Sequence, residues 1–371
     1  MKLGIKYHKP ELLPLNGLKL DANIFTAQKS EAEYRLGQLQ GSGSDGLGKR
    51  FFNPQLLVSP LATKEAVMSS KIEGTISTVS DVYRFDAGQE TKFSGTKEVY
   101  NYRRAISRAM YHVSSGKRMD KTHIKELHKM LLTGVRHDGV LGDFRAGDVW
   151  IGEKKTDPIE KALYVPPHFL TVDAHIDNLM EYIEKSTDDP LTKAGMAHYQ
   201  FEAVHPFDDG NGRVGRLLIP LILYENKRLT LPILYMSGYF DSCRIHYQSA
   251  LRETDKTMEY EAWLKFFFHS VGEQAKQTLE IIEKINLLYE ETAKKVMGSK
   301  SPFLLPFLGY LFDKPIFSPS EAVRELKTTY LPIKGLIKLF VEKGVLIETQ
   351  GIDRRKKIYI FEALIDLLSN V

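Results

Sequence analysis

Within one short stretch, His205-Pro-Phe-Asp-Asp-Gly-Asn-Gly-Arg-Val-Gly-Arg216, the chain brings together a titratable base, two acids, glycines and two arginines. This set suits phosphate chemistry. Gly210-Asn211-Gly212 lets the backbone adopt unusual dihedrals and approach a ligand closely, and a helix that starts there offers unpaired N–H groups and a positive dipole end. Arg213 and Arg216 stand three apart, on one helix face, where paired guanidinium hydrogen bonds can grip further phosphates. Asp209 is a hard oxygen ligand suited to the Mg2+ that accompanies a nucleoside triphosphate. His205 titrates near neutrality and can take a proton from an incoming hydroxyl.

Two helices must hold this stretch. Leu191 to Val204 carries Ala194, Ala197, Phe201 and Val204 at helical spacing, and Pro206 disfavours helical geometry at His205, so the helix should stop there. Leu217 to Tyr224 reads as a buried helix whose first turns hold the arginines. The plain alternative is a Gly-Asn-Gly turn between core helices, with solvated arginines and His205 as a helix-end residue.

The stretch resembles the H-x-F-x-(D/E)-G-N-G-R-x-x-R motif of the Fic family at every defining position. The resemblance implies transfer of AMP from ATP to a hydroxyl side chain of a target protein. His205 would be the general base, Phe207 a buried anchor and Asp209 the residue that positions Mg2+. Asn211 with the Gly210 and Gly212 amides would hold the inner phosphates and Arg213 and Arg216 the outer ones, Val214 and Gly215 completing the ATP-binding turn. Upstream, Ser69-Ser-Lys-Ile-Glu73-Gly74 ends a run of good helix formers from Pro60 to Ile72. It resembles the inhibitory (S/T)-x-x-x-E-(G/N) motif of many Fic proteins, in which Glu73 would pair with Arg216 and take the partner that the γ-phosphate needs. Such an ion pair gains severalfold in a partly desolvated pocket.

With 371 residues, 43% hydrophobic and 26% charged, the chain is long enough for two or three domains. A net charge of +4 argues for no polyanionic partner by itself, and the single Cys243 excludes an internal disulfide and fits a reducing compartment. No stretch approaches a membrane span and the amino terminus lacks an apolar signal core, so the expected address is the cytoplasm. Gly41-x-Gly43-x-x-Gly46 and Gly43 to Lys49 imitate dinucleotide and Walker loops. The preceding residues 25 to 40 read as helix rather than strand, and Arg50 stands where a magnesium-binding Ser or Thr belongs, so a flexible surface loop is expected.

From Lys97 the helical core begins, with Glu98 to Ala105 and Thr122 to Leu132 as scaffold. Between Gly139 and Pro167, Val149 and Ile151 on one side and Tyr164 and Val165 on the other suggest a small hairpin. In the Fic resemblance this is the flap that pins a target peptide through its main chain, with Gly152 at its edge; otherwise it is plain surface hairpin. Tyr247 aligns with an aromatic of the nucleoside pocket, although Gln248 replaces a second aromatic of many relatives, and Tyr247 could equally be core. Phe266 to Phe268 reads as core, and residues 271 to 296 as a polar connector helix.

From about Lys300, three helices (Phe303 to Phe312, Pro319 to Leu326, Thr329 to Lys343) precede strands at Val345 to Gln350 and Lys357 to Phe361 around Arg354-Arg-Lys-Lys357. That order resembles a winged helix. Its 11 Lys and Arg against 8 Asp and Glu leave DNA and protein partners equally open, with Lys334 and Lys338 on the helix that would enter a groove.

The expected fold is mainly α: a Fic-type helical core with a small β-hairpin flap, followed by a winged-helix-like domain. The expected domains are residues 1–96 with the inhibitory helix, 97–270 as the catalytic core, 271–299 as a connector and 300–371 at the carboxy-terminal end. The expected activity is that of a protein adenylyltransferase using ATP and Mg2+ and releasing pyrophosphate, self-inhibited by Glu73. The alternatives are a phosphotransferase of the same family and an ATP-sensing DNA-binding regulator. Expected partners are ATP and a target protein; self-modification, a homodimer and a DNA or protein partner at the carboxy-terminal domain stay open, and no membrane is expected.

Overall fold

Strong helix-forming runs, punctuated by capping residues, account for most of the chain. The structure, a computed structural model, describes residues 6–42, 55–91, 93–153, 157–351 and 357–370. In chain order its helices are α1 (Thr26–Ser42), α2 (Gln55–Ile72), α3 (Val79–Asp86), α4 (Thr96–Ser114), α5 (Lys121–Leu132), α6 (Val172–Lys185), α7 (Pro190–Val204) and α8 (Asn211–Glu225). Then come α9 (Ser237–Ser242), α10 (Arg244–Thr257), α11 (Tyr260–Val296), α12 (Leu304–Asp313), α13 (Pro319–Glu325), α14 (Tyr330–Glu342) and α15 (Glu362–Ser369). Three short strands, β1 (Ile316–Phe317), β2 (Ile347–Gln350) and β3 (Lys357–Ile360), lie among the last helices. The fold is mainly α, as the sequence leads one to expect. The chain divides into two compact units, Met1–Gln40 with Arg104–Lys276, and Gly41–Arg103 with Gln277–Val371.

The first unit is built on α7 and α8. Asp189 caps α7 by accepting from the Leu191 and Thr192 amides, and Pro190 stands in the first turn, where a missing N–H costs nothing. Nearly all of α7 is buried. Its partner α8 approaches closely because Gly215 has no side chain: a Cβ there would lie 2.3 Å from Glu202 Oε1 and 3.1 Å from Phe201. α6 packs alongside, burying Val172, Ile176, Leu179 and Ile183, one helical stripe. α11 runs unbroken for 37 residues, joining the core run Phe266 to Phe268 to the connector expected at residues 271 to 296. Its one internal glycine, Gly272, does not break it, and Trp263 ties its start to α7 through Nε1–H to the Gly195 carbonyl at 2.9 Å.

In the second unit α2 ends in a left-handed Gly74 (φ +88°), with the Thr75 amide donating to Ser70 O and the Gly74 amide to Lys71 O. This double bond closes the last turn and satisfies its carbonyls. α3 starts in a reciprocal capping box between Thr78 and Asp81. Farther along, β3 lies between β1 and β2, antiparallel to both, with Phe317 opposite Tyr359 and Glu348 opposite the same Tyr359. Phe307, Phe317 and Phe340 pack edge to face beneath this sheet. β1 and α15 are additions to the three helices and two strands legible from Lys300 onward.

The Asp86 carboxylate bonds Arg103 at 3.0 Å and Lys314 at 2.8 Å. Burial alone would raise its pKa; the two cations hold it below the ordinary carboxylate range. Among the described residues no helix is long and apolar enough to cross a membrane. The phosphate-loop imitations from Gly43 onward and the basic residues Arg354, Arg355 and Lys356 lie outside the described residues.

Candidate active site

At the end of α7 the backbone turns sharply. His205 adopts the left-handed region (φ 48°, ψ 62°) while its amide still donates to Phe201 O. The imidazole is therefore carried off the helix end, half-buried, with Nδ1 3.4 Å from Glu202 O. Phe207 drops into the interior and stacks parallel on His128, ring centroids 3.9 Å apart. Asn211 closes the loop from the far side: its Oδ1 accepts from the Phe207 amide and its Nδ2 donates to the Phe207 carbonyl, both at 2.8 Å. That amide shapes the loop, so any phosphate contact from Asn211 would come from its backbone N–H. Gly210, left-handed at φ 80°, then starts α8.

Two residues that carry no motif signal hold this loop in place. Arg145 is buried, and its guanidinium donates to the carbonyls of His205 (2.9 Å), Val204 (3.4 Å), Gly147 (3.1 Å) and Pro167 (2.5 Å). Its own amide donates to Pro206 O. One side chain thus ties the His205 loop to the segments on either side of the flap. Burial lowers the Arg145 pKa from its ordinary value, and Asp148 and Asp208 oppose that.

His128, fully buried on α5, accepts from the Gly142 amide at Nδ1, which leaves Nε2–H to donate to Asp209 O at 3.0 Å. The ring is neutral in this role, and burial pushes its pKa down to about 4. Since the unfolded chain titrates at the ordinary value, it takes up the proton first as pH falls. The stabilisation is complete above about pH 6.5 and lost toward pH 4, about 3 kcal/mol from this histidine. Buried His198, pushed down to about 3, acts in the same direction. Urea unfolding at pH 7.5 and pH 5 should show that loss, with a shallower pH dependence in His128→Gln.

The half that would face phosphate lies at the start of α8. By position, the first-turn amides of Asn211 and Gly212 have no carbonyl one turn earlier to bond. Arg213 and Arg216 are both buried, 2% exposed, one turn apart. Asp209 accepts from the Gly210 amide at 2.8 Å and lies 3.4 Å from Arg213. A single partly exposed carboxylate fits a magnesium ion whose other ligands are phosphate oxygens and water. Val214 is fully buried and Gly215 faces α7, so these two position the turn rather than line it.

Tyr247 lies in an aromatic cluster beside α7. It is 3% exposed, stacked 4.3 Å from Phe240, with its hydroxyl 2.9 Å from His198 Nε2. Of the two readings open from the sequence, this geometry is that of a core residue.

The flap is narrower than a hairpin. Among the described residues it is one antiparallel bridge, Ile151 to Tyr164, with amide bonds of 2.9 and 3.1 Å. Its base is fixed: Tyr164 donates to Ala203 O at 2.6 Å, two residues before His205, and the His8 amide donates to Val165 O. Its rim is open, with Trp150 and Ile151 each 40% exposed, while Val149 and Gly152 are half-buried. Ser69 and Glu73 belong to the second unit, Ser69 buried in the last turns of α2 and Glu73 exposed where the helix closes on Gly74.

Comparison with known proteins places this geometry. The model of the Fic/DOC family matches residues 118–223, and that of the Fic/DOC family N-terminal region matches residues 26–111. A probable protein adenylyltransferase of Aquifex aeolicus is 27% identical over 210 residues, 52% of this chain and 64% of the relative. Protein adenylyltransferase fic-1 of Caenorhabditis elegans is 31% identical over 114 residues, 29% of this chain and 22% of the relative. The chain therefore spans less than two thirds of the length of these curated relatives. Among solved structures, a Fic family protein from Desulfovibrio desulfuricans G20 superposes with a TM-score of 0.59 at 18% identity, covering 93% of this chain and 97% of that one. A Fic domain containing signaling protein from Bacteroides thetaiotaomicron gives 0.53 at 15% identity, over 70% of this chain and 96% of that one. The chain belongs to the Fic/DOC family.

Proposed function

We propose that the chain is a protein adenylyltransferase that moves AMP from Mg-ATP to a Ser, Thr or Tyr hydroxyl of a target protein, with self-modification left open. The supporting observation is the convergence in one loop of a left-handed His205, the first amides of α8 and two buried arginines. In this reading His205 takes the proton of the hydroxyl as its oxygen bonds the α-phosphorus, and the bond to the bridging oxygen breaks to release pyrophosphate. The α8 amides hold the inner phosphates, and Arg213 and Arg216 the outer ones, where their burial strengthens each charge-assisted bond. Asp209 would hold the magnesium ion, whose charge offsets that of the phosphates. The exposed rim at Ile151 would pair with an extended target segment.

Glu73 is proposed as a brake that competes with the γ-phosphate for Arg216, and Ser69 as its support within α2. Glu73→Gly should then raise pyrophosphate release with Mg-ATP about 5- to 150-fold, the range of an ordinary coupling energy. A variant no faster than the parent at saturating Mg-ATP would remove the brake from the proposal.

The proposed domains are residues 1–96, 97–270, 271–299 and 300–371, the last of winged-helix type with β2 and β3 as the wing. Lys334 and Lys338 are exposed on α14 and available to a phosphate backbone or an acidic protein surface. If the partner is DNA, duplex binding should weaken steeply with added salt and fall in Lys334→Ala; unchanged binding in that variant would exclude this helix. The proposed cytoplasmic address rests on the lone Cys243.

A further inference from the structure

The second unit contains a cavity of about 670 Å³ between α2, α11, α12 and α13, within the size range of small-molecule sites. One side is apolar, formed by Leu56, Leu305 and Leu326; the other presents Tyr310, Asp313 and Glu325. Tyr310 is 7% exposed, and its hydroxyl has no hydrogen-bond partner among the described residues. Leaving such a group unsatisfied is costly. Burial, then Glu321, Glu325, Asp313 and Asp86, raise the phenol's pKa, so it stays a neutral O–H in a negative field.

The surrounding charges favour one sign of ligand. Asp86, Asp313, Glu321 and Glu325 outnumber Arg103 and Lys314: Asp86 engages both cations, while Asp313, 56% exposed, lies 3.7 Å from Arg103 and Glu321 lies 3.4 Å from Lys314. Arg324 pairs with Glu325 from the solvent side, 71% exposed. A phosphate or carboxylate would meet repulsion here. A cation would meet carboxylates and the tyrosine side chains Tyr289 and Tyr310 that line the cavity.

We propose that this cavity binds a small organic cation, an ammonium or guanidinium group on a compact apolar body. The charged nitrogen donates to Tyr310 Oη and to the Asp313 and Glu325 carboxylates, and the body lies on Leu56, Leu305 and Leu326. The site is independent of AMP transfer and needs neither ATP nor metal. It touches the amino-terminal end of α2, the helix whose other end carries Glu73.

The test is calorimetric titration of the full chain, without nucleotide, with three probes of one shape: phenethylamine, 2-phenylethanol and 3-phenylpropionate. The amine should bind saturably, and the alcohol and the acid at least about tenfold more weakly, a difference of about 1.4 kcal/mol. Tyr310→Phe, which keeps the ring, should weaken the amine about fivefold or more. Gly309→Leu should abolish binding by filling the cavity, since a Cβ at Gly309 meets only Leu56 Cδ2, at 3.5 Å. Equal binding of all three probes, or no saturation by about 10 mM amine, would overturn the proposal, as would undiminished amine binding in a folded Tyr310→Phe. If Gly309→Leu does not fold, the probe series and Tyr310→Phe decide the matter alone.

Discussion

His205→Ala is expected to lower AMP transfer by about two to four orders of magnitude, the usual contribution of a positioned general base. Stability should fall by no more than about 1–2 kcal/mol. The ring is half-buried, while the features that hold the loop are the Arg145 bonds to backbone carbonyls and the Asn211 bonds to Phe207. The left-handed backbone at position 205 is strained for alanine by about 1–2 kcal/mol. His205→Asn is therefore the sharper variant, because asparagine tolerates this region and cannot act as a base at neutral pH. A folded His205→Asn protein that retains more than about a tenth of the parent rate would assign the base to another residue.

Arg145→Met is expected to be the most damaging single change to the site's architecture. It leaves the carbonyls of Val204, His205, Gly147 and Pro167 without the donors that now satisfy them. With about 1–3 kcal/mol for each buried group left unpaired and some relief from entering water, a loss of about 3 kcal/mol or more follows. For a unit of this size that lowers Tm by about 6 °C or more. Arg145→Lys should rescue little, since one ammonium cannot reproduce the planar fork that reaches separate carbonyls. A thermal scan showing Tm within about 2 °C of the parent in Arg145→Met, with transfer intact, would mean the loop keeps its shape without the arginine.

Much of the site is legible in the sequence because its residues are consecutive. His205 to Arg216 is a local motif, and helix-stop and helix-start signals at Pro206 and Gly210 place it between two helices. Arg145 and His128 are not legible in that way. Each acts on backbone carbonyls or amides brought to it by the fold, and a carbonyl carries no residue-type signal. The one hint is position: Arg145 lies in the run from Gly139 to Gly152, between two segments that frame the flap. Asn211 carries a motif signal for phosphate, yet its side chain closes the loop on Phe207. Here a residue needed near a ligand and a residue needed to shape a turn look the same in sequence.

The fold shows a similar division. Periodicity locates α2, α5, α7 and α8 within a few residues, and α6 carries the same signal at Val172, Ile176, Leu179 and Ile183. The unbroken α11 is not legible because the apolar run at Phe266 to Phe268 and the polar run from residues 271 to 296 differ in character, whereas the helix passes through both, with the Gly272 Cβ position 3.7 Å from the backbone of α1. Among the described residues the flap pairs through a single bridge, between Ile151 and Tyr164. The Tyr164 side chain, with its bond to Ala203 O, holds the segment where a longer ladder would otherwise be needed.

The most direct test of the account is to follow label from [α-32P]ATP and [γ-32P]ATP into protein, using the parent chain, Glu73→Gly and the double variant Glu73→Gly, His205→Asn. AMP transfer predicts label from the α position only, increased in the first variant and lost in the second. Label from the γ position would make the chain a phosphotransferase, and absence of label in every variant that still binds ATP would contradict the transferase reading itself.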